Sequence, residues 1–185
     1  MLGYLGFEAK ISSNPDEISM ADRIILPGVG HFQHGIKQLF NLGIVDVLKT
    51  EVISNFKPIL GICLGMQLLT KHSEEGDSMG LGFVDALTKR FQCKDSGLKV
   101  PHMGWNTAVF QKESELIFGV SELSRYYFVH SYYVDCLNKE DVLCTTMYGD
   151  NFVSGFQHDN IFGLQFHPEK SHKYGMELLS NFCKI

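Results

Sequence analysis

A chain of 185 residues with 44% hydrophobic and 20% charged residues is long enough to bury the core of one domain, and we expect a single domain over residues 1–185. The formal net charge is −5 and the basic residues are scattered, which argues against binding to nucleic acid or to an anionic membrane. No apolar stretch is long enough to cross a bilayer, and the N-terminus lacks the basic region of a signal peptide.

The five cysteines are an odd number, and no two of them form a C-x-x-C pair. This pattern argues against a disulfide framework and against a zinc site, and it is typical of a cytoplasmic protein. We therefore expect neither a metal nor a cofactor. Cys93, Cys136, Cys144 and Cys183 have no acid or base beside them in sequence, and we expect them to be packing residues.

Strands and helices alternate in the first half of the chain. Residues 23–26 form an apolar run ended by Pro27-Gly28, which predicts a buried strand. Apolar residues between 35 and 49 recur at helical spacing. A second buried strand is predicted over 58–62, and a helix follows from 64 to about 72.

The second half is dominated by predicted strands and ends in a helix over about 173–182. The strands are predicted at 82–87, 105–110, 126–134, 142–146, 152–156 and 161–166. The last two form a hairpin through His158-Asp159-Asn160. Strand–helix alternation followed by meandering strands indicates a parallel sheet with an antiparallel extension.

The motif Gly61-Ile62-Cys63-Leu64-Gly65 joins the second predicted strand directly to a helix. This string is the cysteine form of a nucleophile elbow, whose flanking glycines allow a sharp turn. The cysteine then lies at a helix N-terminus, where the dipole favours the thiolate. The alternative interpretation is a small buried side chain, as most cysteines are. The complete string favours a nucleophile.

A cysteine nucleophile needs a base, and the base needs an orienting group. His167 and Glu169 offer both after a predicted strand, and side chains two residues apart on an extended segment point the same way. A surface histidine beside a solvated glutamate is the alternative, because eight histidines make chance matches easy. Combined with the elbow, this is the best Cys–His–acid set in the chain.

Two backbone N–H groups are candidates for an oxyanion hole. One belongs to Leu64, directly after the cysteine. The other lies in Leu26-Pro27-Gly28-Val29-Gly30, a loop of conformationally free residues after the first strand. An ordinary turn is the alternative interpretation of that loop.

Five motifs in one order carry a resemblance that covers essentially the whole chain. They are LPGVG at 26–30, GICLGMQLL at 61–69, PHMGWN at 101–106, FVHSY at 128–132 and QFHPEKS at 165–171. The chain resembles the class I (triad) glutamine amidotransferases, and within them it is most similar to the glutaminase subunits of imidazole glycerol phosphate synthase. The resemblance implies an α/β, flavodoxin-like fold with a central, mostly parallel sheet flanked by helices and an antiparallel extension.

The resemblance also implies roles for the site residues. Cys63, His167 and Glu169 form the triad that hydrolyses glutamine. The N–H groups of Leu64 and Val29 form the oxyanion hole, the latter after reorienting. Gln67 and Glu75 match positions that hold the substrate's carboxylate and ammonium ends, and the backbone of Ser131 and Tyr132 lines the same pocket. A helix surface and a solvated turn are the alternative interpretations of Gln67 and Glu75.

The ammonia released must reach a second protein. The resemblance implies a heterodimer with a (β/α)₈-barrel synthase subunit, which consumes the ammonia to make imidazole glycerol phosphate and aminoimidazole carboxamide ribonucleotide in histidine biosynthesis. Tyr127 and Lys170 match interface positions, although a core aromatic residue and a solvated lysine are alternatives. Residues 102–106 are similar interface or structural material.

Family members normally open with an apolar strand and a D-Y-G-x-G-N-type loop, whereas this chain begins inside the following helix. We therefore expect it to lack the family's first strand. Three other functions stay open: supply of ammonia for amidino groups on bacterial surface sugars, a cysteine hydrolase or peptidase on the same elbow, and an inactive binding subunit.

Overall fold

The computed structural model describes residues 1–92 and 97–185. Cys93, which we expected to be a packing residue, lies outside them. The strands are β1 (Ile24–Gly28), β2 (Ile59–Cys63), β3 (His72–Ser73), β4 (Ser78–Met79), β5 (Ala86–Arg90), β6 (His102–Thr107), β7 (Val109–Phe110), β8 (Arg125–His130), β9 (Tyr132–Cys136), β10 (Val142–Tyr148), β11 (Asp150–His158) and β12 (Ile161–Leu164). The α-helices are α1 (Pro15–Met20), α2 (Phe32–Asn41), α3 (Val45–Lys49), α4 (Leu64–Leu68) and α5 (His172–Phe182).

One mixed sheet organises the described part of the chain. Its strand order is β1-β2-β12-β11-β9-β5-β3-β4, with β10 paired to β11 and β7. Strands β6 and β8 form a separate antiparallel pair. The parallel pairs are β1–β2, β2–β12 and β3–β5, so the antiparallel extension is larger than the parallel part that carries the elbow.

Helices flank both faces of this sheet. Alternate residues of β2 face opposite sides, so Ile59 packs in the core that contains α2 and Leu60 packs in the core that contains α5. Helix α2 buries Phe32, Ile36 and Leu39 on one stripe, which explains its apolar spacing. This arrangement confirms the predicted flavodoxin-like α/β fold with an antiparallel extension, but the sheet of the described residues is mixed and not mostly parallel as predicted, because strands after β5 pair mainly antiparallel. In the described ranges no helix is both long and apolar enough to cross a membrane.

Several predicted elements were right in kind but wrong in extent. The helix predicted over 35–49 is two helices, because Gly43 adopts a φ of +67° and ends the run. A short π-helix over Thr50–Ser54 then continues α3. The helix predicted over 64–72 ends with α4, and the strand predicted over 82–87 begins only at the start of β5.

The strand predicted over 126–134 is also divided. Ser131 separates β8, which pairs with β6, from β9, which pairs with β5 and β11. The hairpin of β11 and β12 and the closing helix α5 are confirmed. Residues 24–28 form a strand, but the prediction that it is buried was wrong: β2 covers one of its edges, and no described strand covers the other.

Candidate active site

The Cys63 turn has the strained geometry of a nucleophile elbow. Cys63 ends β2 and precedes α4 with φ 54° and ψ −111°, a conformation that side-chain-bearing residues rarely adopt. A Cβ on Gly61 would lie 2.7 Å from the Met66 backbone, and one on Gly65 would lie 1.7 Å from the Leu26 carbonyl oxygen. Both positions therefore require glycine, because a side chain at either one would clash with a neighbouring backbone segment.

The backbone of β8 and a short 3-10 turn place the histidine and its acid. The His167 N–H donates to the Tyr127 carbonyl at 2.9 Å, and the turn Pro168–Lys170 follows at once. The Ser171 hydroxyl donates to the His167 carbonyl at 2.6 Å. Glu169 Oε1 then lies 2.7 Å from Nδ1 of His167. The carboxylate and imidazole thus meet as predicted, but through a 3-10 turn and not along an extended segment.

The other imidazole nitrogen faces the cysteine. Nε2 of His167 is buried and makes no hydrogen bond to any described residue, while the Cys63 thiol lies close enough to act on its charge. Burial disfavours the imidazolium, but Cys63 and Glu169 outweigh it and raise the pKa of His167 to about 9. Burial is the largest single effect on the Glu169 carboxyl and raises its pKa, but the hydrogen bond and charge of His167, a backbone hydrogen bond and the charge of Lys170 together lower that pKa below its usual value. The three side chains form one line: nucleophile, base and orienting acid.

The raised pKa of His167 predicts that stability depends on pH. Its stabilising contribution is complete below the unfolded-state pKa of 6.5 and is lost as pH rises through about 9. We expect Tm to fall over this range, and to fall less in Glu169→Gln, because the carboxylate that stabilises the imidazolium is gone. Thermal melts at pH 6.5 and 9 check this, with Glu113→Gln, an exposed carboxylate, as control. Equal falls in wild type and Glu169→Gln would contradict the pairing.

Gln67 lies inside the site and does not cover a helix surface. It is 4% exposed, and its Nε2 donates to the Tyr132 carbonyl at 3.1 Å and to Gln165 Oε1 at 3.0 Å. Gln165 is fully buried, and its own Nε2 lies 3.8 Å from Cys63 Sγ. The sequence predicts no role for Gln165, although this residue opens the QFHPEKS motif.

The two predicted oxyanion donors both lie near the nucleophile. Leu64 begins α4, where backbone N–H groups have no acceptor within the helix. Gly28 is the register partner of Cys63 in the β1–β2 pair, so the loop that begins at Val29 leaves the sheet beside the cysteine. Val29 is 77% exposed, so this loop borders solvent. The oxyanion role of both residues stays a prediction.

The remaining predicted pocket residues have structural contacts of their own. Glu75 Oε2 accepts from the Phe32 N–H at 2.7 Å and so caps helix α2. The Ser131 carbonyl accepts from Phe91 N–H at 3.2 Å, and Tyr132 contributes the carbonyl that holds Gln67. These contacts fix the three positions, and their substrate contacts stay predictions.

A pair of buried histidines adjoins the Tyr132 carbonyl, and the sequence does not predict this pairing. His102 Nδ1 lies 3.0 Å from His130 Nε2, and His130 Nδ1 lies 2.7 Å from the Tyr132 carbonyl. Burial lowers the pKa of His102 to about 4 and that of His130 to about 3, so both are neutral near pH 7. Sequence spacing held no signal for this pair, because the β6–β8 register brings residues 28 positions apart together.

An exposed face with aromatic residues adjoins the triad. Trp105 is 40% exposed, and its ring stacks on His172 at a centroid distance of 5.4 Å. Tyr127 pairs in register with Trp105, and Lys170 Nζ lies 5.9 Å from the Tyr127 ring. Met103, on the same side of β6, is 62% exposed. The structure thus brings the two predicted interface residues, Tyr127 and Lys170, together at the surface; we name these five residues the aromatic face.

Comparison with known proteins shows which family has this fold. The family model "Glutamine amidotransferase class-I" matches residues 2–185. A crystal structure of a glutamine amidotransferase superposes with a TM-score of 0.75 at 20% identity, covering 98% of this chain and 90% of that one. The glutaminase domain of Trypanosoma brucei CTPS, with bound acivicin, gives 0.67 at 17% identity, covering 99% and 84%.

Relatives in sequence are considerably more similar. "Imidazole glycerol phosphate synthase subunit HisH 2" of Methanococcus maripaludis is 50% identical over all of this chain and 91% of its own length. The protein of the same name in Pseudomonas aeruginosa is 46% identical, with the same coverage of both chains. The chain therefore belongs to the class I glutamine amidotransferase family. Each of these relatives is named as a subunit, so the name describes one part of a complex.

Proposed function

We propose that this chain is the glutaminase subunit of imidazole glycerol phosphate synthase, which hydrolyses glutamine to glutamate and ammonia. The observation that carries the proposal is the line from Cys63 through His167 to Glu169, built on a strained elbow. Relatives that are 46–50% identical over the whole chain carry that subunit's name. The free cysteines in the described residues fit the cytoplasmic location that we propose.

The proposed chemistry has two halves. Cys63 Sγ attacks the side-chain carbonyl carbon of glutamine, and the C–N bond breaks as His167 Nε2 gives its proton to the departing ammonia. The resulting glutamyl thioester is hydrolysed by a water that His167 deprotonates, which restores the thiol and releases glutamate. Glu169 orients the imidazole throughout, and the N–H groups of Leu64 and Val29 stabilise the oxyanion in both halves.

The charged ends of the substrate meet the pocket described above. Gln67, Ser131 and Tyr132 supply amide and backbone groups, and Glu75 supplies a negative charge for the substrate ammonium. A free amino acid carries one fixed charge of each sign at these ends. Such a set of contacts selects free glutamine, and a glutamine side chain inside a peptide lacks both charges. This distinction argues against the peptidase alternative.

The partner we propose is a (β/α)₈-barrel synthase subunit that docks on the aromatic face. Tyr127 belongs to this face, and its carbonyl also holds the backbone of His167, so the face reaches the catalytic base directly. Exposed aromatic residues with a flanking cation are typical of protein interfaces. Ammonia released at Cys63 would then pass to the barrel without leaving the complex.

Glutamate release from glutamine tests this function. We expect slow release by the chain alone and faster release with a barrel subunit of the histidine pathway that carries its acceptor ligand. Trp105→Ala should weaken the partner's binding about ten-fold or more. Phe40→Ala is a matched control, because Phe40 is exposed beside a cavity at the N-terminal end of β12. No glutamate from folded protein under any condition would reject the proposal.

A second candidate is supported by one observation. The relatives in Methanococcus maripaludis and Pseudomonas aeruginosa are both numbered "HisH 2", and such a number distinguishes one subunit from another of the same name. A numbered copy can serve a different barrel partner, such as one that makes amidino groups on surface sugars. Running the glutaminase assay with that partner in parallel distinguishes the two: the partner that accelerates glutamate release is the physiological one.

A further inference from the structure

The Gln165 side chain bridges the nucleophile and the substrate pocket. It follows β12, and its backbone N–H donates to the Ser154 carbonyl at 2.9 Å. Its side-chain amide lies between Gln67 Nε2, at 3.0 Å, and Cys63 Sγ, at 3.8 Å. None of its surface is exposed. A buried amide with a partner at each end has one orientation only.

The hydrogen-bond network determines which way that amide points. The Tyr132 carbonyl can only accept, so the Gln67 atom that faces it must be the donor Nε2. The second hydrogen of that nitrogen then points to Gln165, which must present Oε1 to it. Gln165 therefore presents its own donor, Nε2, to Cys63 Sγ. The assignment follows from the Tyr132 carbonyl, which can only accept a hydrogen bond.

The histidine pair fixes the same carbonyl from the other side. His130 Nδ1 must carry a hydrogen to bond the Tyr132 carbonyl, so in the neutral ring Nε2 accepts from His102 Nδ1. His102 Nε2 in turn lies 3.3 Å from Asn106 Nδ2, which donates to the Met147 carbonyl at 2.9 Å. The Tyr132 carbonyl thus receives two donors and cannot turn away from Gln67.

We propose that Gln165 is a hydrogen-bond donor to the Cys63 thiolate and a positioning residue for Gln67, a role that rests on the glutaminase function proposed above. Its Nε2 stabilises the charged sulfur before attack and returns to it when the thioester breaks. Its Oε1 holds the Gln67 amide so that the carbonyl Oε1 of Gln67 is left to meet the substrate. Gln67 consequently offers an acceptor, which suits an N–H group of glutamine and repels its carboxylate.

Alkylation of Cys63 by iodoacetamide as a function of pH tests the donor directly. Only the thiolate reacts, and mass spectrometry of the Cys63 peptide separates it from the other cysteines. The titratable group facing Cys63 in the described residues is His167, with Glu169 behind it, and both are unchanged in every variant. In Gln165→Leu we expect the midpoint of alkylation to rise by about one pH unit, a ten-fold loss of thiolate, because hydrogen bonds to charged groups are strong.

A second variant distinguishes the donor from simple packing. Gln165→Glu keeps the shape and the acceptor for Gln67 but puts an oxygen against the sulfur, so its midpoint should rise further than that of Gln165→Leu. Ser154→Ala is the matched control, because Ser154 is also fully buried and its hydroxyl donates to Cys144 Sγ at 3.5 Å. It should leave the Cys63 midpoint unchanged.

The outcomes separate this proposal from the proposed function. Alkylation uses the chain alone and needs neither glutamine nor a partner, so it reports on Gln165 even if no glutaminase activity is found. A folded Gln165→Leu protein with the midpoint of wild type would overturn the donor role. If Gln165→Glu does not fold, as circular dichroism would show, Gln165→Leu decides alone. A rise in Gln165→Leu, with no change in Ser154→Ala, supports the proposal.

Discussion

Replacement of Cys63 by alanine should abolish glutamine hydrolysis. We expect kcat to fall by about 10⁴-fold or more, which is the loss typical of removing one residue of a catalytic triad. The reason is chemical, because the thioester cannot form without the sulfur. The fold should survive, because alanine removes only one atom, the sulfur, from a side chain that is 7% exposed. The measurement is glutamate release in the presence of the proposed barrel partner, where we expect the highest wild-type rate.

Two comparisons make the Cys63→Ala result specific. Cys183→Ala removes a partly buried cysteine outside the site and should retain full activity. Binding of the barrel partner should also be unchanged in Cys63→Ala, because the aromatic face lies outside the elbow. Measurable turnover in Cys63→Ala above a few per cent of wild type would mean that another group performs the attack.

Gly65→Ala should be the most destabilising single-methyl substitution at the elbow. The added Cβ would lie 1.7 Å from the Leu26 carbonyl oxygen, so β1 and α4 must separate. We expect a loss of about 4 kcal/mol or more in the free energy of unfolding, the range of the most severe point substitutions. Urea unfolding measures it, and insoluble expression would be the extreme form of the same result.

The matched control is Gly3→Ala, which adds the same methyl group where nothing lies within 4 Å. Gly3 lies in the short 3-10 turn Leu2–Leu5, and its substitution should change stability by no more than about 0.5 kcal/mol. If both variants lose the same stability, the cause is the general effect of replacing glycine. That result would contradict the close approach of β1 to the elbow.

The parts of the site that could be predicted are those encoded over short distances along the chain. Cys63 and its glycines are five consecutive residues, and His167 and Glu169 are two apart, so local geometry alone brought each group together. Gln165 was not assigned because its partners, Cys63 and Gln67, are about a hundred residues away. Only the pairing of β2 with β12 makes them neighbours.

The fold shows the same division. Apolar period and turn residues predicted the strands near 24–28 and 59–63 and the closing helix, because these signals are local. The prediction that β1 is buried was wrong, because burial depends on which strands pair. An apolar run of residues has the same sequence pattern at the edge of a sheet as at its centre. Ser131 divides a run of strand-forming residues, since β8 and β9 belong to different sheets and only tertiary pairing separates them.

The contact between Gly65 and the Leu26 carbonyl joins two backbones and involves no side chain. The contact does not depend on the side chain at position 26. Another apolar residue there would leave the close approach of the two backbones unchanged. Only the absence of a side chain at 65 is demanded. The core around the elbow can therefore be repacked with other apolar side chains without moving the nucleophile away from the loop after β1.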